Sequence, residues 1–329
     1  MKKLKFIIFI LFLSLEIATA ERFAVLISGL GGSEEYQEKF QRYLYETRKA
    51  LVEKFAFAEK NVIVLAGSSS QKDEFVNDIS TAENIKKHFS ELAQITTSQD
   101  EVYIFLFGHG SYDGKNAMLN IPRKDLKDAD YAELTANLKA GKIIFINTAS
   151  SSGPFIAQIS APNRIVITAT KSGTERIETT FPRYLLDAMQ NDLADRDKNG
   201  ELSVLELFSY ASERTASFYE KENHIATEHP LLEDTGDGQA FRSQDLADNS
   251  EGGLAGATYL LPKTSPLAIQ VAAGDTITAG LLQEQDKINN EISLLKARKS
   301  SYSEQEYFAK LESLLVRLAG INEQLEGGK

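Results

Sequence analysis

The sequence predicts an α/β fold, a mostly parallel sheet with helices on both faces, extended by a C-terminal α-helical hairpin. Three observations carry this. Five short apolar runs are bounded by turn residues and lack polar alternation, the signature of strands buried on both faces. The segments between them place apolar residues at helical spacing, and strands alternating with helices build parallel sheets. Residues 281–326 repeat apolar positions in a 4-3 rhythm with one break, as two packed helices do. The 329 residues are 42% apolar and 25% charged, a folding composition. A formal charge of −11 argues against a protein that tracks nucleic-acid phosphates. The chain has no cysteine, which excludes a disulfide scaffold, a thiolate zinc site, a lipidated N-terminal cysteine and a cysteine nucleophile.

Residues 1–20 read as a secretory signal. Lys2, Lys3 and Lys5 precede an apolar run from Phe6 to Leu15, and Ala18-Thr19-Ala20 supplies small residues for cleavage. The run is shorter than the roughly 20 residues a bilayer requires. The expectation is export, to the periplasm or outside the cell, with no membrane attachment after cleavage. The main domain is expected over residues 21–238. Phe23–Ile27 is its first strand and ends in Ser28-Gly29-Leu30-Gly31-Gly32, a turn without the Lys-Ser/Thr of a phosphate loop. A helix with Tyr36, Phe40, Tyr43, Leu44, Leu51 and Phe55 on one face follows, then a second strand over Asn61–Leu65. Ser80 and Glu83 predict a capping box for a helix carrying Ile85, Phe89 and Leu92. Val102–Phe107, Ile143–Ile146 and Arg164–Thr168 complete the strands. In such sheets functional residues gather beyond the carboxyl ends of the strands.

Asp195-Arg-Asp-Lys-Asn-Gly-Glu-Leu-Ser-Val-Leu-Glu206 fits the twelve-residue EF-hand pattern. Asp195, Asp197 and Asn199 offer side-chain oxygens, Glu201 its carbonyl, Ser203 a hydroxyl or a bridging water, and Glu206 closes with two oxygens. Gly200 allows the sharp turn. Hard Ca²⁺ needs such an oxygen cage, so these six residues are the expected calcium ligands. Helices are predicted on either side, Phe181 to Ala194 and Ser203 to Tyr219. A second acidic turn, Glu233-Asp234-Thr-Gly-Asp237-Gly238, lacks a closing Glu twelve residues from its first Asp, so a second ion at Asp234 and Asp237 stays open. The four histidines, His88, His109, His224 and His229, show no zinc spacing.

The third strand ends in Phe107-Gly-His109-Gly110 and the fourth in Asn147-Thr-Ala-Ser150-Ser151-Ser152-Gly153, which adjacent parallel strands bring face to face. Over residues 22–225 the chain resembles the caspase-like (clan CD) peptidase fold, nearest its legumain-like and bacterial caspase-like branch. That family places His-Gly after its third strand and Ala-Cys-x-Ser-Gly after its fourth. His109-Gly110 and Ala149–Gly153 match, 41 residues apart against roughly 50 in caspases. Ser150 stands where the family has its catalytic cysteine. The resemblance therefore implies a pseudopeptidase that retains His109 and Ser150 as a remnant dyad and keeps the cleft for a peptide or protein ligand. The alternative is a serine hydrolase using Ser150 or Ser151 with His109, since Ala149–Gly153 nearly matches the G-x-S-x-G elbow. Lys171–Arg176 reads either as a wall of a specificity pocket or as a solvated turn.

Residues 239–280, rich in Gly, Ala, Ser and Asp, read as a loop-rich linker. Beyond them Leu281, Gln285, Ile288, Ile292 and Leu295 form the first stripe of the hairpin. After a break at 299–302, Tyr307, Leu311, Leu314, Leu318, Ile321 and Leu325 form the second, capped by Ser303 and Glu306. The hairpin is either a brace on the domain or an arm for a partner or a second copy.

Overall fold

The structure is a computed structural model, and the described residues are 20–68, 74–246, 249, 251–261, 275–297 and 302–327. The predicted signal, apart from its last residue, and the break between the hairpin stripes, apart from Tyr302, lie outside them.

The predicted strands form the middle of a seven-stranded sheet. β1 (Arg22–Ser28), β2 (Val62–Ala66), β4 (Glu101–Phe107), β8 (Lys142–Asn147) and β9 (Arg164–Thr168) run parallel, with the two-residue β3 (Asp78–Ile79) on one edge and β11 (Leu231–Glu233), antiparallel to β9, on the other. The order is β11-β9-β8-β4-β1-β2-β3. After β1 the chain moves outward to β2; it then crosses back to β4 and continues through β8 to β9. The direction of winding thus reverses between β1 and β4, the position at which open parallel sheets place their ligand sites.

Helices cover both faces. On one lie α1 (Glu34–Lys49), α5 (Phe181–Gln190) and α6 (Val204–Lys221), which bury Phe40, Tyr43, Leu44, Phe181, Leu185 and Phe208 against Phe105 and Phe107. On the other lie α2 (Ala82–Ile95), α3 (Asp128–Ala136) and α4 (Phe155–Ile159), which bury Ile85, Phe89, Tyr131 and Phe155 against Ile104, Leu106 and Phe145. Alternate residues of β4 thus serve opposite cores, as two-sided burial requires. A small antiparallel sheet, β5 (Gly110–Tyr112), β6 (Ala117–Leu119) and β7 (Leu126–Lys127), follows β4.

Three local expectations change. The cap of α2 is Thr81, whose hydroxyl accepts from the Asn84 amide at 3.3 Å; Ser80 instead donates to the Ser28 carbonyl at 2.6 Å, tying β3 to β1. The helix expected to reach Ala194 stops at Gln190, because the Asn191 side chain accepts from the Leu193 amide and turns the chain into a 3-10 segment, Asp192–Ala194. Within 239–280 lie a four-residue helix, α7 (Gly253–Gly256), and β12 (Tyr259–Leu260), which pairs antiparallel with β10 (Leu202–Ser203). Elements this short leave no period in a sequence.

The two C-terminal helices span Thr276–Ala297 and Glu304–Gly327. Gln285 donates to Asn322 at 2.6 Å, and Arg317 reaches both Glu284 (2.8 Å) and Glu291 (3.0 Å), so the pair runs antiparallel. Ile288, Ile292, Leu295 and Tyr307 are buried. The last helix also has an outward apolar stripe, with Phe308, Leu315 and Val316 exposed around an open groove completed by Leu311 and Ala319.

Candidate functional site

The carboxyl ends of β4 and β8 lie side by side. Gly108 has φ +148°, and Gly110 lies so close to β8 that a Cβ there would sit 2.0 Å from the Ser150 carbonyl oxygen. The Gly-His-Gly sequence is therefore a close backbone approach as well as an opening. Half-buried His109 turns toward α1. Its ring meets Tyr36 edge-on at 4.6 Å and Phe40 at 5.1 Å, and it hydrogen-bonds the Gly31 backbone. Burial lowers its pKa below the usual imidazole range, against the opposing pull of Glu178 and the Gly31 contact. Glu178 accepts from the Tyr36 hydroxyl at 2.8 Å and pairs with Lys39.

Ser150 is 3% exposed. Its hydroxyl accepts from the Gly110 amide at 3.0 Å and donates to the Gly110 carbonyl at 3.2 Å. The Ser150 hydroxyl thus closes on the backbone of the residue next to His109, and not on the imidazole. Ser152 is also engaged: its hydroxyl lies 3.1 Å from that of Thr170, which accepts from the Gly153 amide at 3.0 Å. Ser151 differs. It has φ +56°, it is 1% exposed, and among the described residues its buried hydroxyl has no hydrogen-bond partner.

Two carboxylates that the sequence did not single out complete this region. The Ser151 amide donates to the Glu175 carbonyl at 2.8 Å, and the Glu175 carboxylate meets His229 Nδ1 at 2.5 Å and accepts from the Lys171 amide at 2.9 Å. The 171–176 turn therefore sits directly against the serine segment. Glu228 is buried, accepts from the Thr180 and Phe181 amides and so caps α5 from a distant part of the chain; burial raises its pKa. No local sequence signal marks the Glu175–His229 contact or the Glu228 cap, because those partners lie about 50 residues away in the chain. His224 is exposed, and His88 lies beside Asp78 and Glu91.

A second constellation lies between α5 and α6. Carboxylate oxygens of Asp195, Asp197 and Glu206 come within 4.8 Å of one another, a cluster that could bind a metal ion. The backbone wraps inward to hold them. The Asp195 carboxylate accepts from the Asn199 amide (3.2 Å) and the Gly200 amide (2.9 Å), Asn199 Oδ1 from the Glu201 amide (2.7 Å), and Gly200 has φ +83°. Glu206 reaches back to the Arg196 and Ser203 amides, both at 2.9 Å, and forms a capping box with Ser203 at the start of α6. Burial, Glu206 and Asp195 raise the pKa of Asp197, the response of a carboxyl crowded by its own sign. The donor set fits a hard cation: all oxygens, a closing carboxylate and a glycine at the turn.

Asp234 and Asp237 part company. Asp234 turns inward and accepts from the Gly252 and Ala255 amides at 2.8 and 2.7 Å, holding α7. Asp237 instead converges with Glu233 and with Glu251, which had no place in the sequence pattern.

Residues 66–224 match the model of the peptidase C13 family and carry that family's domain. The match includes His109, Ser150 and the 195–206 loop. With no cysteine anywhere in the chain, this domain lacks the catalytic residue of a cysteine protease. No curated protein matches the chain. Among solved structures, the crystal structure of protein GSU0716 from Geobacter sulfurreducens is similar over 66% of this chain and 94% of its own, with 11% identity and a TM-score of 0.42.

Proposed function

We propose that this C13-family domain without a cysteine belongs to an exported, calcium-binding pseudopeptidase that acts by binding or scaffolding. The observation that carries the reading is the Ser150 hydroxyl. A serine nucleophile needs a base positioned to take its proton. Here the proton points to the Gly110 carbonyl and a lone pair receives the Gly110 amide, while the His109 ring is held between Tyr36 and Phe40. Peptide or protein segments are the proposed occupants of the His109/Ser150 cleft. The outward stripe of Phe308, Leu315 and Val316 supports an arm that takes a partner or a second copy. Calcium is the proposed ion of the EF-hand loop, because exported proteins meet it at concentrations that fill even weak extracellular sites. Among the described residues no helix is long and apolar enough to cross a membrane.

One observation favours a serine hydrolase instead: Ser151 combines a left-handed backbone with a hydroxyl that has no partner among the described residues, a strained geometry of the kind found at nucleophiles. Its burial opposes attack on a substrate. A fluorophosphonate probe separates the readings. The pseudopeptidase stays unlabelled; labelling that disappears in Ser150→Ala or Ser151→Ala replaces it with a serine enzyme.

A further inference from the structure

We propose that Glu233, Asp237 and Glu251 hold a second divalent, oxygen-seeking cation, distinct from the ion of the 195–206 loop. The three residues come from the end of β11, the turn after it and the segment before α7, yet their carboxylate oxygens lie within 4.8 Å of one another. An ion such as Ca²⁺, with ligand oxygens at 2.3–2.6 Å, spans about 5 Å between opposite ligands. The spread therefore fits one shared ion.

The second observation is the state of Glu233. Its side chain is fully buried, and its Oε1 accepts from the amides of Thr235 and Asp237, both at 3.1 Å, and of Gly236 at 2.5 Å. Its Oε2 is buried with no hydrogen-bond partner among the described residues, and a buried acceptor left so is costly. Glu251 is 5% exposed; it accepts from the Asp234 amide and the Thr235 hydroxyl, which orient it as outer-shell donors orient a metal ligand. Among the described residues no Lys, Arg or His forms an ion pair with Glu233, Asp237 or Glu251. The missing counter-charge is the cation. With neither nitrogen nor sulfur in the set, the ligand class is the hard divalent ions, Ca²⁺ first among them for an exported protein. A proton on Glu251, whose pKa burial and Asp234 push up to about 8, is the rival occupant.

Such an ion would fasten the antiparallel edge of the sheet to the segment leading through α7 to β12, the strand that pairs with β10 inside the 195–206 loop. The test is calcium titration of the chelator-treated protein by calorimetry. The expected stoichiometry is two ions for wild type, one for Glu206→Gln, one for Asp237→Asn and none for the double variant. Asp237 is exposed, so its amide leaves the fold intact. Wild-type protein that binds one ion, lost in Glu206→Gln, overturns the proposal. So does an Asp237→Asn protein that still binds two. A Glu206→Gln protein that keeps all its calcium while Asp237→Asn loses one ion instead refutes the 195–206 reading and leaves this site standing.

Discussion

At the ends of β4 and β8, polar side chains mostly face backbone: Ser150 closes on Gly110, and Ser152 and Thr170 close on each other and on Gly153. In the 195–206 loop the side chains also take backbone amides, but Asp195, Asp197 and Glu206 carry the same sign and bring carboxylate oxygens within 4.8 Å of one another. The difference lies in what each group needs. A hydroxyl both donates and accepts, so a neighbouring amide and carbonyl satisfy it completely. Carboxylates only accept, and gathering them raises their mutual repulsion until a proton or a cation enters. Ser151 apart, the hydroxyls of the serine segment are satisfied within the chain, whereas the clustered carboxylates of the loop could hold a metal ion.

The largest expected effect tests the acidic side of that contrast. An ion that binds only the folded loop stabilises by about 2.7 kcal/mol at a hundredfold excess over Kd. Calcium should therefore raise the melting temperature, EGTA should reverse the rise, and Glu206→Gln should lose the loop's share of it. A wild-type melting curve indifferent to both reagents would break the comparison at its root. On the other side, Gly110→Ala drives a Cβ to 2.0 Å from the Ser150 carbonyl oxygen. Overpacking of this kind costs about 1–3 kcal/mol, read as a lower urea midpoint. Ser150→Ala is milder, on the order of 1 kcal/mol, because it removes hydrogen bonds without forcing the strands apart. Ser150→Cys sharpens the contrast further: no cleavage of peptide substrates is expected, since the imidazole stays on the α1 side. Appearance of activity there would mean that only the sulfur had been missing.

The fold was legible where a single element carried its own signal. β9 was predicted at its observed limits, and β1, β2, β4 and β8 within about two residues, because strands buried on both faces are continuous apolar runs. The 195–206 loop was legible because its donors lie within twelve residues. Glu251 was not, since its partners Glu233 and Asp237 sit 18 and 14 residues earlier with no period between them. Glu178 was hidden for the same reason: its partners Tyr36 and Lys39 lie across the fold on α1. His109 shows the remaining gap. The sequence placed it at the correct strand end, but the ring's direction depends on Tyr36 and Phe40, which no spacing rule connects to it.

That direction yields the smallest and most local prediction. His109 has its pKa lowered chiefly by burial, so the folded protein binds less proton there than the unfolded chain, whose imidazole titrates near 6.5. The sign follows from linkage. Stability associated with His109 is fully present above about pH 6.5 and is lost as pH falls from there toward the lower folded value. An NMR titration of the imidazole should therefore show a midpoint below 6.5. Tyr36→Ala should move that midpoint up, because opening the ring to water relieves the desolvation that dominates it. Glu178→Gln should move it down, because the carboxylate favours the imidazolium. If His109 were instead held by Ser150 as a catalytic base, Ser150→Ala would move its midpoint and Tyr36→Ala would not. The ranking of those two shifts decides whether this histidine belongs to a dyad or to the packing of α1 against the sheet.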